Sequence, residues 1–193
     1  MNETKNSNRT LVQRMVLSSV LIALAAVLSL IKVYKLPLGG SITLLSMLPI
    51  AMISVMYGTK WGLWSAFVYS VIQLIFGITM DGVLGWGLTW YALIGTIVLD
   101  YLAAFTVLGL SGMLRKKGIV GVVIGTAIAL ALRFVSHFVS GVIIFGTITS
   151  GDSWIYSLTY NGSYMLPELI ITCIGAAVLF NLPQVKRLIG IKD

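Results

Sequence analysis

Residues 119–146 read IVGVVIGTAIALALRFVSHFVSGVIIFG, and this stretch decides the fold class. Apart from Arg133 and His137 it holds no ionisable side chain. A bilayer core needs about 20 apolar residues in helical form, so the run spans one with length to spare for tilt. Its glycines and alanines are helix-compatible in lipid, where every backbone group must be satisfied within the segment.

Five more apolar segments lie around it, at about 12–33, 46–57, 61–78, 89–110 and 161–180. The second and third are short and joined tightly at Gly58-Thr59-Lys60. A Pro/Gly loop (36–41), a glycine loop (81–87) and a polar loop (147–160) separate the others. Composition agrees: 58% of residues are hydrophobic and 10% charged, with a mean hydropathy of +1.00. A soluble domain carries about 25% charged residues. The expectation is an all-α integral membrane protein, a six-transmembrane-helix bundle forming one domain over 1–193, with no separate soluble catalytic module. Met1 to Thr10 is expected to be a polar lead-in rather than a signal peptide, because the apolar run after it is too long.

Charge fixes the expected orientation. Lys5, Arg9, Arg14, Lys60, Arg115, Lys116, Lys117, Lys186, Arg187 and Lys192 fall on the side shared by both termini, ten of the thirteen basic residues. Lys32, Lys35, Asp81 and Asp152 fall on the other. The positive-inside rule then makes the termini cytoplasmic. The net charge of +7 thus belongs to topology, and nucleic acid is not an expected partner. Trp86, Trp90, Tyr91, Trp154, Tyr156 and Tyr160 gather near the outer ends, where a belt of interfacial aromatics belongs. The lone Cys173 cannot form an internal disulfide.

Ionisable groups at membrane depth are expensive and mark functional sites. The chain has Asp100, Arg133, His137 and Glu168 there. At about 1.5 Å per residue, Asp100 falls about 16 Å below the outer end of its segment, His137 about 13 Å and Glu168 about 10 Å below theirs. Arg133, His137 and Gly141 share one face at four-residue spacing, and Asn161 and Glu168 share another. Three helices aim polar groups at one layer, which describes a pocket open to the outside. Two acids and one base leave a charge near −1 if His137 is neutral, suited to a monocationic ligand. The competing account, in which an Asp100–Arg133 pair staples two helices and Glu168 beside Pro167 caps a kink, stays open at this point.

Other motifs are weaker. Gly109-Leu110-Ser111-Gly112 matches the G-x-S-G of intramembrane serine proteases, but Ser111 lies about 15 Å in depth from His137 by helical rise, beyond hydrogen-bond reach. Ser136 and Ser140 flank His137 and are expected to bond their own helix backbone. No phosphate-binding G-x-x-x-x-G-K-[ST] loop is present, and no second His or Cys could complete a zinc site. No cofactor is expected. Ser19 and Ala23 form a small-residue step on the first segment, fit for close helix packing or for docking a partner.

Four blocks carry a family resemblance: Leu36–Pro49 (LPLGGSITLLSMLP), Asp100–Thr106 (DYLAAFT), Arg133–Gly141 (RFVSHFVSG) and Trp154–Ser163 (WIYSLTYNGS). Together, and in this order, the chain resembles the thiamine-specific S components of energy-coupling-factor transporters, the ThiT or YuaJ family. The resemblance implies a six-helix, non-enzymatic subunit of the bacterial cell membrane that binds thiamine under its first loop. Its implied partners are a transmembrane coupling subunit and two cytoplasmic ATPases. It also implies roles. Asp100 would face the cationic ligand with Tyr101 beside it, and His137 would contact the ligand rings with Gly141 leaving room. Tyr156 and Asn161 would read the aminopyrimidine. Arg133 would pair Asp100 or lie near the hydroxyethyl end, and Glu168 would belong to the same site. Where the family commonly has a tryptophan, this chain has Phe145, so ring stacking falls to Phe145 or to Trp154. Ser19 and Ala23 would contact the coupling subunit. An S component for another vitamin, an intramembrane enzyme and a free-standing channel or secondary transporter are the alternatives.

Overall fold

The computed structural model describes residues 2–145 and 151–189, with side chains from Thr10 onward. Gly146 and Lys192, assigned above to the fifth segment and to the basic side, lie outside the described residues, as do the side chains of Lys5 and Arg9. Helices dominate. They are α1 (Asn2–Leu30), α2 (Leu48–Tyr57), α3 (Thr59–Thr79), α4 (Trp90–Thr96), α5 (Ala104–Thr106), α6 (Gly118–Ile143), α7 (Ser153–Asn181) and α8 (Pro183–Ile189). A π-helical turn, Ile97–Ala103, joins α4 to α5, and a 3-10 turn, Val107–Leu110, follows. Five of these helical segments are long and apolar enough to cross a membrane: Thr10–Leu30, Thr59–Thr79, Trp90–Leu110, Arg115–Ile143 and Ser153–Asn181. The Leu48–Tyr57 helix is apolar but shorter.

That short helix sits at the centre. Leu48, Ile50, Ala51, Ile53, Ser54 and Val55 are all buried, covering its whole circumference, as expected of a helix apolar all round and enclosed by others. Ile50 and Ile53 pack with Leu21, Ile22 and Ala25 of α1, Ala66 and Tyr69 of α3, Phe105 and Leu130. Leu48 and Val55 join Val122, Ala176 and Phe180 in a second cluster with α6 and α7. The opposite faces of the outer helices leave Val16, Val20, Trp64, Val120, Ile174 and Val178 exposed. Apolar residues facing outward along the same helices are what a lipid environment requires. Ser54 is the hub at one end. Its hydroxyl donates to the Gly109 carbonyl (2.5 Å) and accepts from the Gly112 amide (2.9 Å).

The helices differ from the sequence expectation in several places, and α6, for one, ends at Ile143 rather than at residue 146. The first helix ends at Leu30 rather than Val33, because Lys32–Lys35 (β1) pairs antiparallel with Ser41–Thr43 (β2). Pro37 has no amide hydrogen and forbids helical continuation, while Val33 and Tyr34 favour an extended backbone. The Pro/Gly loop is therefore the tip of a hairpin, a strap laid across one end of the bundle. The last long helix begins at Ser153, eight residues earlier than the expected Asn161. Asp152 caps it, accepting from the amides of Trp154 (2.8 Å) and Ile155 (3.4 Å). The aromatic residues read as a loop are thus its first turns. The fourth segment is helical throughout, but it passes from α geometry through the π turn that carries Asp100 and ends in a 3-10 turn.

Candidate functional site

The strap, α3, the π turn, α6 and α7 enclose a cavity of about 100 Å³, several times the roughly 10–15 Å³ that one water needs. Asp100, Tyr101, Arg133, His137, Gly141, Phe145, Tyr156, Asn161 and Glu168 all line it. Trp154 does not. Its ring is exposed and packs on Phe138 at 5.8 Å between centroids, so of the two aromatic candidates only Phe145 reaches the cavity. An eight-residue helical extension carries Trp154 outward, onto the apolar exterior.

Asp100 is held by α6, but not through Arg133. Its Oδ1 lies 2.9 Å from His137 Nδ1, and its Oδ2 accepts from Ser140 Oγ at 2.5 Å. A carboxylate only accepts, so Nδ1 carries a proton, and in the neutral imidazole Nε2 is then the acceptor. That Nε2 is buried without a partner. The expected pairing of Arg133 with Asp100 is replaced by other contacts. The guanidinium lies 4.3 Å from the Phe105 ring centroid and donates to Met47 Sδ at 2.8 Å. Arg133 sits one helical turn deeper than His137 and meets the α2 end and the α5 ring instead. The hydroxyls of Ser136 and Ser140 also depart from expectation, since both leave their own helix for the π turn.

Asn161 ties α7 to α6. Its amide nitrogen reaches the His137 carbonyl (3.2 Å) and both oxygens of Ser157 (3.0 and 3.1 Å), and its Oδ1 accepts from Tyr164 (2.9 Å). Gly141 permits that approach, because a Cβ there would strike Ser157 and Asn161. Glu168 is 1% exposed. Its Oε1 accepts from the Thr43 amide (2.5 Å) and hydroxyl (2.7 Å), while Oε2 has no partner. Arg133 Nε and Gln73 Nε2 are likewise buried and unpartnered, and both residues line the same cavity. Buried polar atoms are nearly always satisfied. The four residues that carry these atoms all line one cavity, whose wall thus holds both donor and acceptor groups for a ligand bearing both kinds.

Sequence reasoning missed the strap's fastenings. Tyr160 donates to the Pro37 carbonyl and accepts from the Gly40 amide (3.1 Å). Gly39 has φ +87°, and a side chain at Gly40 would press on Tyr160 and Tyr164, so the glycine pair serves both the turn and the close approach. Trp86, which packs edge-on to Phe145 at 6.0 Å, lies over the same tip. Lys32 and Lys35 each place Nζ 2.9 Å from Asp81 Oδ1. The signal was present in the opposite charges of the 32–35 and 81 loops, but their pairing needed the hairpin.

Burial alone would raise the Asp81 carboxyl, but hydrogen bonds and attraction from Lys32 and Lys35 outweigh it and hold it below the usual carboxylate range. The clasp therefore contributes fully above the ordinary value of about 3.9 and is lost as pH falls through the depressed one. Trp86 Nε1 donates to the Asp81 carbonyl at 3.0 Å and reports the clasp. In a variant retaining only this tryptophan, its emission is expected to stay constant from about pH 8 to 5 and to shift only below about pH 4. A transition near neutral pH would refute the clasp.

Ser111 is buried and donates to the Leu108 carbonyl (2.7 Å), while His137 is engaged with Asp100. The G-x-S-G match thus forms no serine–histidine pair. Among the described residues no group of three or more His, Cys, Asp or Glu side chains could hold a metal ion.

The model for the family described as Thiamine transporter protein (Thia_YuaJ) matches residues 15–187. The chain is 32% identical over 193 residues to the thiamine transporter ThiT of Bacillus subtilis (strain 168), covering 91% of this chain and 93% of that protein. It is 28% identical over 157 residues to the thiamine transporter ThiT of Lacticaseibacillus paracasei, covering 72% and 73%. Its fold matches a solved structure of ThiT from Listeria monocytogenes with a TM-score of 0.72, across 93% of this chain and 98% of that one. The sequence identity in that match is 18%, a likeness of fold alone.

Proposed function

The chain belongs to the thiamine transporter protein family, and from that premise we propose that it captures extracellular thiamine as the S component of an energy-coupling-factor importer. It is a multi-pass membrane protein of bacteria, and its named relatives are transporters rather than enzymes. The observation that carries the thiamine assignment is the cavity beside Asp100, lined by the carboxylates of Asp81, Asp100 and Glu168, by aromatic rings and by four residues with an unpartnered polar atom. Thiamine combines a cation with a ring that donates and accepts hydrogen bonds. In this reading Asp100 answers the thiazolium charge, with Tyr101 beside it. Phe145 and Trp86 offer aromatic faces, each cation–π contact contributing about 0.5–2 kcal/mol. The acceptor Nε2 of His137 and the wall of Tyr156, Gly141 and Asn161 take the aminopyrimidine. Arg133 and Glu168 take the hydroxyethyl end.

The α2 helix, extended by the descending arm of the strap, completes a sixth crossing. Both termini are then cytoplasmic, supported by Lys60, Arg115, Lys116 and Lys117 on the side opposite Lys32, Lys35 and Asp81. Ser19 and Ala23 are exposed on α1, which supports docking of a transmembrane coupling subunit that brings two ATPases. Thiamine titration of the detergent-purified protein tests the assignment through tryptophan emission. Saturable quenching is expected, abolished by Trp86→Phe and retained in Trp154→Phe. Folded protein that gives no response to thiamine, by emission or calorimetry, rejects the ligand.

A further inference from the structure

Hydroxyls on these helices mostly bond their own backbone. Ser19 donates to the Met15 carbonyl, Thr126 to that of Val122 and Thr159 to that of Ile155. Two serines of α6 do otherwise. Ser136 Oγ crosses to the Leu99 carbonyl at 2.6 Å, and Ser140 Oγ crosses to Asp100 Oδ2 at 2.5 Å. They are four residues apart on one face, and His137 between them reaches Asp100 Oδ1. One stretch of α6 thus holds both oxygens of Asp100 and the carbonyl just before it.

That carbonyl belongs to the π turn. Leu99 O also accepts from the Ala104 amide, the five-residue bond that defines π geometry. A carbonyl oxygen has two lone pairs, so the Ser136 bond adds to the π bond rather than replacing it. The extra residue in a π turn shifts every side chain before it by about 100° relative to those after it. If Ile97–Ala103 relaxed to α geometry, Asp100 and the α4 helix before it could not both keep their present directions. The π form is rare and appears mostly as single turns at functional sites, so it needs support from outside.

We propose that Ser136 and Ser140 are positioning residues that hold the Ile97–Ala103 π turn in register and aim the Asp100 carboxylate at a cationic ligand in the cavity. Ser140 fixes the carboxylate plane against His137, and Ser136 fixes the backbone that carries it. Neither needs to touch the ligand, and the role rests on the thiamine assignment made above.

The test pairs two ligands of nearly equal shape, thiamine and 3-deazathiamine, in which a neutral thiophene replaces the thiazolium. Both are titrated into wild type, Ser140→Ala and Ser136→Ala, each checked for an unchanged elution profile and melting midpoint. Ser140→Ala is expected to weaken thiamine about tenfold, as loss of one charge-assisted hydrogen bond would, and to change 3-deazathiamine less than twofold. Ser136→Ala is expected to show the same split with a smaller amplitude. In an Asp100→Asn background, Ser140→Ala should add no further loss for thiamine, because coupled sites are not additive. Equal losses for both ligands, or full additivity with Asp100→Asn, would overturn the positioning role while leaving the thiamine assignment intact. Folded wild type that binds no thiamine would overturn the assignment and the role together.

Discussion

Asp100→Asn is expected to weaken thiamine binding by about 100-fold or more, measured by calorimetric or fluorescence titration. The substitution keeps the shape, and its carbonyl oxygen can still accept from His137. What it removes is the charge, in a cavity walled by Phe145, Tyr101 and Tyr164. Two unit charges about 4 Å apart interact by about 4 kcal/mol at an effective dielectric of 20. Removing one partner of a desolvated, hydrogen-bonded charge pair typically costs about 2–5 kcal/mol. At 1.4 kcal/mol per decade, a loss of about 3 kcal/mol gives the stated factor. A variant that is folded and binds thiamine with wild-type affinity would remove Asp100 from the site.

Glu168→Ala has the second-largest expected effect, and it acts on release. Glu168 Oε1 anchors the strap at Thr43 through two bonds. Truncation leaves the Thr43 amide without its acceptor, and a buried unsatisfied donor costs about 1–3 kcal/mol. Only the part specific to the liganded state enters binding. About 2 kcal/mol then corresponds to a roughly 30-fold loss of affinity, appearing mainly as faster dissociation in stopped-flow chase experiments. Glu168→Gln retains an oxygen that can accept from Thr43, so it should keep most of the slow release. If Gln and Ala variants release thiamine equally fast, the anion itself matters and the anchor account is wrong. If neither differs from wild type, the strap does not depend on Glu168.

Much of this protein was legible without coordinates because lipid imposes simple rules. A run such as 119–146 has one stable form in a bilayer, and Asp100, Arg133, His137 and Glu168 stand out because charge at depth is rare. Helical rise and four-residue spacing were sufficient to bring them to one layer. The four blocks of resemblance pointed to the family, and nine of the ten residues expected at a ligand site line one cavity.

The remainder depended on which group faces which, and periodicity along one helix carries no information about its neighbour. Asp100 could have met Arg133 or His137. The π turn, which no residue pattern marks in the sequence, turns it to His137 and Ser140. Trp154 and Trp86 read alike as interfacial aromatics, and the Asp152 cap puts one outside while the edge contact with Phe145 puts the other over the cavity. The strap was readable only as a Pro/Gly loop, since its hold on the bundle comes from Asp81, Tyr160 and Glu168, each more than 40 residues from its partner in the chain. By itself, the sequence determined the solvent, the helices and the costly residues, because hydrophobicity and helical geometry are local properties. Only the tertiary structure decided their partners, because a hydrogen bond within 3 Å depends on the rotation and offset of whole helices, which local preferences leave free.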